Sequence, residues 1–325
     1  MIRSGLVSIA LLLGFSCCNQ PFDPRGTLDQ RLVVFSILST DRSQQFVRVE
    51  RSYMPEDYNP LSATSDPAIV GATVTLRTSG GTFRLRDTTY SRADTSRYDV
   101  PFTGYVLNSL KADYGKYYTL SVSWAAYNPV TASVQVPYKP SISLEPASYL
   151  TLDNPAASDG ESRILFPLSM GYNAKGIISR LFVYYDVLKE GEWLEERQEI
   201  PVSYRYSGIA DLDYVNFGSV TPRTSTGLAI GVYTNELYKK MLAHLAYGTY
   251  EGTKIIFNRV VFVVIQLDPN LYDYYVTVHA NNDPHSIRLD EPSYSNVARG
   301  LGLVGAYTVD SLVHILPEGF TYDKY

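Results

Sequence analysis

The chain has 325 residues, 45% of them hydrophobic and 19% charged, and a formal net charge of −5. This composition belongs to a globular protein rather than a disordered one, and the length suits two domains. The acidic balance leaves no basic stripe to neutralise phosphates, so nucleic acid is not an expected partner. Tyrosine stands out, at 28 residues against 12 Phe and 2 Trp. Its ring favours strands and its hydroxyl keeps to water, which suits sheets with one solvated face.

The first segment reads as an address. Met1 and Arg3 give a positive start, and Leu6 to Phe15 form an apolar stretch too short for a membrane span. Small Ser16 then precedes Cys17 and Cys18, the only cysteines of the chain. That order predicts a bacterial lipoprotein signal over residues 1–17 with Cys17 as the acylated residue; Cys18 is the alternative acceptor. An ordinary secretory signal with incidental cysteines is the competing reading. Adjacent cysteines are poorly placed to bridge each other, so no internal disulfide is expected. Residues 18–29, with Pro21, Pro24 and Gly26, form a tether to the membrane.

From Arg31 the pattern is almost entirely β. Leu32–Leu38 is an apolar run, and Phe46–Ser52 alternates, as do Val70–Arg77, Tyr118–Trp124 and Val130–Val136. Gly80-Gly81 turns the third of these into Thr82–Arg86, a hairpin signal. Residues 30–138 are therefore expected to form a β-sandwich, and 139–162, rich in Pro, Asp and Ser, a linker or long loop. Residues 163–325 read as a second antiparallel β-rich domain. There Leu181–Leu188 and Trp193–Ile200 predict a hairpin, and Ile255–Leu267 with Tyr272–His279 predict another antiparallel pair around Asp268-Pro269-Asn270. A single short helix is expected over about 234–247, where Leu237, Met241 and Leu245 share a face and Gly248 stops it.

Candidate chemistry is sparse. Gly300 to Gly305 spells GxGxxG, but a dinucleotide site needs that motif between a strand and a helix. Tight backbone geometry beside a closing strand is the better reading. His279 and His285 around Asp283 form a polar loop rather than a zinc site; His244 and His314 read as helix and strand positions. Asp153, Asn154, Asp159 and Glu161 lack the EF-hand order, and Asp211 with Asp213 could share a strand face as a carboxylate pair. GxSxG, HExxH, CxxC and the P-loop are absent, so no catalytic residue, metal ligand or cofactor is assigned. Tyrosine clusters at 117–118, 184–185, 204–206 and 272–275 could expose rings to a glycan or peptide ligand, or could simply pack.

The stretch from Tyr294 to Tyr307, with Ser295-Asn296, Gly300-Leu301-Gly302 and Gly305-Ala306, resembles the closing signature of an uncharacterised Bacteroidota lipoprotein family, domain of unknown function 4249. Leu32-Val33-Val34 and Val70 to Leu76 agree with that family as well, while Phe35-Ser36, Arg299 and Val304 depart from it. The resemblance implies an outer-membrane or surface lipoprotein with an N-terminal immunoglobulin-like or transthyretin-like sandwich. It also implies an accessory role beside a TonB-dependent transporter, a β-barrel partner, and no catalytic residue. The resulting expectation is a lipid-anchored, non-enzymatic binding or accessory protein. A free-standing glycan- or peptide-binding module and a hydrolase of envelope polymers are the alternatives.

Overall fold

A computed structural model describes residues 28–54, 65–96, 98, 100–124, 127–158, 162–200, 220–223, 228–247, 254–279 and 294–321. Strands β1 (Leu32–Ser39), β2 (Gln45–Arg51), β6 (Phe102–Leu107) and β5 (Arg86–Tyr90) form one layer in that order. Strands β4 (Gly81–Arg84), β3 (Thr73–Thr78), β7 (Tyr117–Ser123) and β8 (Val130–Gln135) form the facing layer. Alternation explains the pairing: Val47 and Val49 from one sheet and Val74, Leu76, Leu120 and Val122 from the other are all buried in one core. The fold is mainly β and sandwich-like, as expected. Ser79-Gly80 closes the β3–β4 hairpin by pairing Thr78 with Gly81. Strands β5 and β6 are not foreseen by the pattern, because Arg86 to Tyr90 carries little apolar alternation.

The second half builds its own core. The hairpin β11 (Gly176–Lys189) and β12 (Glu192–Ile200) turns at Glu190-Gly191, both at positive φ, as a two-residue hairpin turn requires. Strand β15 (Ile255–Leu267) pairs antiparallel with β11, and the short β13 (Thr221–Pro222) joins the β11 edge. A three-stranded sheet, β14 (Leu228–Thr234), β10 (Arg163–Ser169) and β9 (Ser141–Ile142), contributes to the same core. Phe166 and Phe262 stack there at 4.1 Å between ring centroids. Helix α2 (Asn235–Tyr247) closes this core with Leu237, Tyr238, Met241, Leu242 and Leu245, close to the bounds the sequence predicts. Thr234 Oγ1 accepts from the Leu237 amide, a capping contact at its start.

Two expectations need correction. The region 139–162 contains β9, helix α1 (Pro146–Asp153) and a 3₁₀ turn at Pro155–Ala157. Tyr272–His279 is no strand: Pro269–His279 forms helix α3. The described residues thus hold three α-helices where the pattern predicts one. The alternating Tyr and Val residues mimic a strand, but the segment before them decides. Asp268 caps the first turn and Pro269 takes the first helical position, where its missing N–H costs nothing.

Strand β16 (Leu301–Ile315) ties the halves together. Its first part pairs in parallel with β1, Val33 against Leu301 through Ser39 against Tyr307. Its second part pairs antiparallel with β15, from Leu267 against Tyr307 to Arg259 against Ile315. One nine-stranded sheet therefore runs through both halves. Val304 and Ala306 belong to the first core, while Leu312 packs against the second.

Candidate functional site

Two polar and aromatic constructions flank this shared sheet. The first is the seat of helix α3. Asp268 is fully buried. Its Oδ1 accepts from the amides of Leu271 (3.1 Å) and Ala306 (2.8 Å). Its Oδ2 accepts from the Asn270 amide (3.0 Å) and Asn270 Nδ2 (2.9 Å). Burial pushes the carboxyl up to about 6, against these hydrogen bonds, which favour the charged form. A Cβ on Gly305 would lie 2.9 Å from Leu271 Cβ and 3.2 Å from Asp268 Oδ1, so a glycine is what lets the helix settle on the strand. Asn296 serves the same strand by donating to the Val304 carbonyl (2.7 Å) and accepting from the Val304 amide (2.9 Å).

The family signature therefore resolves into backbone carpentry. Asn296 acts as an extra strand residue, Gly305 makes room for α3, and the Ala306 amide binds the helix cap. Gly302, at φ +114, has Val34 O where a Cβ would point, only 2.0 Å away. The GxGxxG spelling leads into β16 and not into a helix, which accounts for its glycines without a nucleotide.

The second construction is a ledge of exposed rings where the β8–β9 connection meets the β10–β11 connection. Tyr138 lies between β8 and β9, and its amide donates to the Tyr172 carbonyl (3.0 Å), between β10 and β11. Its carbonyl accepts from Nε2 of the buried Gln266 (2.9 Å), whose Oε1 accepts from the Gly171 amide (2.6 Å). The Tyr138 ring rests on Gly115, where a Cβ would come within 2.4 Å of it, and Gly115 sits at φ +72. Tyr138 meets Tyr172 edge to face at 6.0 Å. Gln135 Nε2 donates to the Gly115 carbonyl, Asn173 Nδ2 donates to the Gln135 carbonyl, and Tyr117 stands opposite Gln135 in the β7–β8 register. Tyr117, Tyr138 and Tyr172 remain 66%, 46% and 71% exposed.

Such a ledge offers flat ring faces whose backbone is already fixed, so a ligand orders little on arrival. Sequence reasoning passed over Tyr138 and Tyr172. A signal was there: Pro137-Tyr138-Lys139-Pro140 and Gly171-Tyr172-Asn173 put aromatics in turn chemistry, where no strand face waits to pack them.

The predicted residues fare variously. Tyr118 and Tyr185 are buried packing residues, while Tyr184 lies under the Arg259 guanidinium, 4.3 Å from its centroid. Tyr272, Tyr274 and Tyr275 lie on α3, half-buried. Cys17, Cys18, Asp159, Glu161, Tyr204, Tyr206, Asp211, Asp213, Asp283 and His285 lie outside the described residues, as does the side chain of His279. Asp153 and His314, far apart in sequence, are brought together, with Nε2 2.7 Å from Oδ1 and the Tyr149 ring edge-on at 5.2 Å. His244 is exposed on α2. Among the described residues no group of three or more His, Cys, Asp or Glu could hold a metal ion.

A third polar cluster lies on the outer face of the first sandwich. Asp66 bridges Arg48 and Arg92 (2.7 Å to the latter), and both guanidiniums lie over the Phe102 ring. Arg48 also donates to Glu50 and to the Thr103 carbonyl. Every charge there is answered by another protein group, so this is internal bracing.

These features define a mainly-β protein with two cores, one sheet running through both, and a closing strand that anchors a helix. The family model described as "Domain of unknown function (DUF4249)" matches residues 19–312, and the chain belongs to that family. No curated protein matches the chain significantly. Among solved structures, trypsin-activated alpha-2-macroglobulin from Escherichia coli is similar at 7% identity with a TM-score of 0.20, over 77% of this chain and 15% of that one. The chain thus spans a small part of that protein's length.

Proposed function

We propose that this chain is a lipid-anchored, non-enzymatic binding protein of the bacterial outer membrane, held through acylated Cys17 (with Cys18 as the alternative) and working beside a TonB-dependent β-barrel transporter. The observation that carries the binding reading is the ledge of Tyr117, Tyr138 and Tyr172, exposed on a hydrogen-bonded frame. Large rings left in water on rigid backbone are the usual anchors of protein contacts. The short apolar leader ending on Cys17 supports the anchor, and no helix among the described residues is long and apolar enough to cross a membrane.

The test is recovery of the tagged, lipidated protein from native outer membranes in mild detergent, read by mass spectrometry. A stoichiometric TonB-dependent barrel is the expected companion. Recovery of the protein alone would refute the stable-complex reading. A free-standing glycan- or peptide-binding module is the second reading, favoured by the same ledge, and saturable ligand binding without the barrel would select it.

A further inference from the structure

A cavity of about 300 Å³ opens where the described chain begins, lined by Asp29, Gln30, Arg31, Leu32, Tyr127, Asn128 and Arg299. Arg31 is held by Asp29 (Nη2 to Oδ2, 2.8 Å), and Tyr127 donates to Gln30 Oε1 (3.0 Å). Arg299 has no ion-pair partner among the described residues, and its backbone stands at φ 63, in the left-handed region. A non-glycine residue there costs about 1 kcal/mol. Hydrogen bonds fix the backbone on both sides: Ala298 N–H donates to Thr131 O (2.8 Å) and Gly300 N–H to Val297 O (3.3 Å). The guanidinium is therefore presented from a strained, rigid turn. Trp124 stacks on the lining residue Tyr127 at 5.3 Å.

We infer that this cavity is a phosphate site for a membrane lipid headgroup, with Arg299 as its principal donor and Arg31 as the second. Two guanidiniums face one carboxylate, so the lining is net positive in a chain whose overall charge is −5. Guanidinium forks match phosphate oxygens, and the stacked Trp124–Tyr127 pair, partly buried against the first core, holds Tyr127 in the lining. The location fits as well. Asp29 is only twelve residues from Cys17, a reach of about 40 Å when fully extended, so an acylated Cys17 keeps this end of the protein near the bilayer. That last point rests on the lipoprotein reading above; the cavity and its charge do not.

The experiment uses the full lipidated chain carrying Trp193→Phe, which leaves Trp124 as the sole tryptophan, excited selectively at the red edge of the absorption band where the tyrosines do not absorb. It is reconstituted in phosphatidylglycerol vesicles containing a headgroup nitroxide lipid, and in phosphate-free galactolipid vesicles with the same quencher. Trp124 emission is expected to fall at least twofold in phosphatidylglycerol and little in galactolipid. Adding Arg299→Gly should abolish most of that difference while the thermal midpoint stays equal or rises, since glycine relaxes the φ of this turn. Millimolar inorganic phosphate should compete with the quenching. Equal quenching with Arg299→Gly, or in both lipids, would overturn the assignment. A Trp124 response to inorganic phosphate but not to vesicles would also overturn it, in favour of a soluble phosphate ligand. Intact mass separates the two readings: an acylated chain without headgroup-dependent quenching refutes this site alone. An unmodified Cys17 and Cys18 refutes the anchor, and added vesicles then score the site in the same way.

Discussion

The α3 seat and the tyrosine ledge use similar parts for opposite ends. In the seat, Asp268 and Asn296 are turned inward and spend their hydrogen bonds on backbone of β16 and α3. In the ledge, Gln266, Gln135 and Asn173 brace backbone in the same way, yet the rings they support point to water. Polar side chains that satisfy main chain are scaffolding in both places. What differs is whether anything remains exposed for a partner, and only the ledge leaves something. Changes in the seat should thus alter stability, and changes on the ledge should alter binding.

The sharpest break is Gly305→Val. Its side chain must enter the space of Leu271 and Asp268, and a loss of about 3 kcal/mol is expected by chemical denaturation of the full chain. Next comes Asp268→Asn, which turns an amide NH₂ toward donors the carboxylate now satisfies, at a cost of about 2 kcal/mol at pH 7. Asp268 also gives that contrast a pH signature. Its folded value of about 6 lies above the ordinary 3.8, so the native state holds the proton more tightly. The linked stabilisation is full below about pH 3.8 and is lost as pH rises through 6. The margin of wild type over Asp268→Asn should shrink across that window and level off above it, as read by urea melts at several pH values.

Gly115→Ala tests the junction between scaffolding and display. Its Cβ collides with the Tyr138 ring and its φ is left-handed, so a loss of about 1–2 kcal/mol should accompany a displaced ring and weakened partner recovery. The smallest stability effect is expected for Tyr138→Ala with Tyr172→Ala. These exposed rings should change the unfolding free energy by no more than about 1 kcal/mol together. A loss near that of Asp268→Asn would erase the distinction between the two regions.

Much of the fold was legible from pattern: β1 is an apolar run, β2, β3, β7 and β8 place buried Val, Leu and Ile on one face at a period of two, and turn chemistry marks the β11–β12 hairpin, whose β12 buries only Ile200. Helix α3 was not, because Tyr272, Tyr274, Val276 and Val278 alternate like a strand and mask the local start at Asp268-Pro269, and the tie of that cap to Ala306 of β16 leaves no local trace. Nor could local pattern show β16 pairing with β1, since parallel register between the two ends of a chain leaves no short-range trace. The ledge escaped notice for a related reason. Tyrosines clustered within strands look the same in sequence whether they pack or display, and Tyr118 and Tyr185 are core. The exposed rings that meet are Tyr138 and Tyr172, which a backbone hydrogen bond between them and the Gln266 frame bring together.

The central claim is that the ledge is the contact surface of a membrane-anchored binding protein. It is tested most directly by recovering the lipidated wild type and the Tyr138→Ala, Tyr172→Ala double variant side by side from native outer membranes. The account predicts a co-purifying TonB-dependent barrel with the wild type and at least a tenfold loss with the variant, at matched folding and membrane content. Equal recovery from both would contradict it.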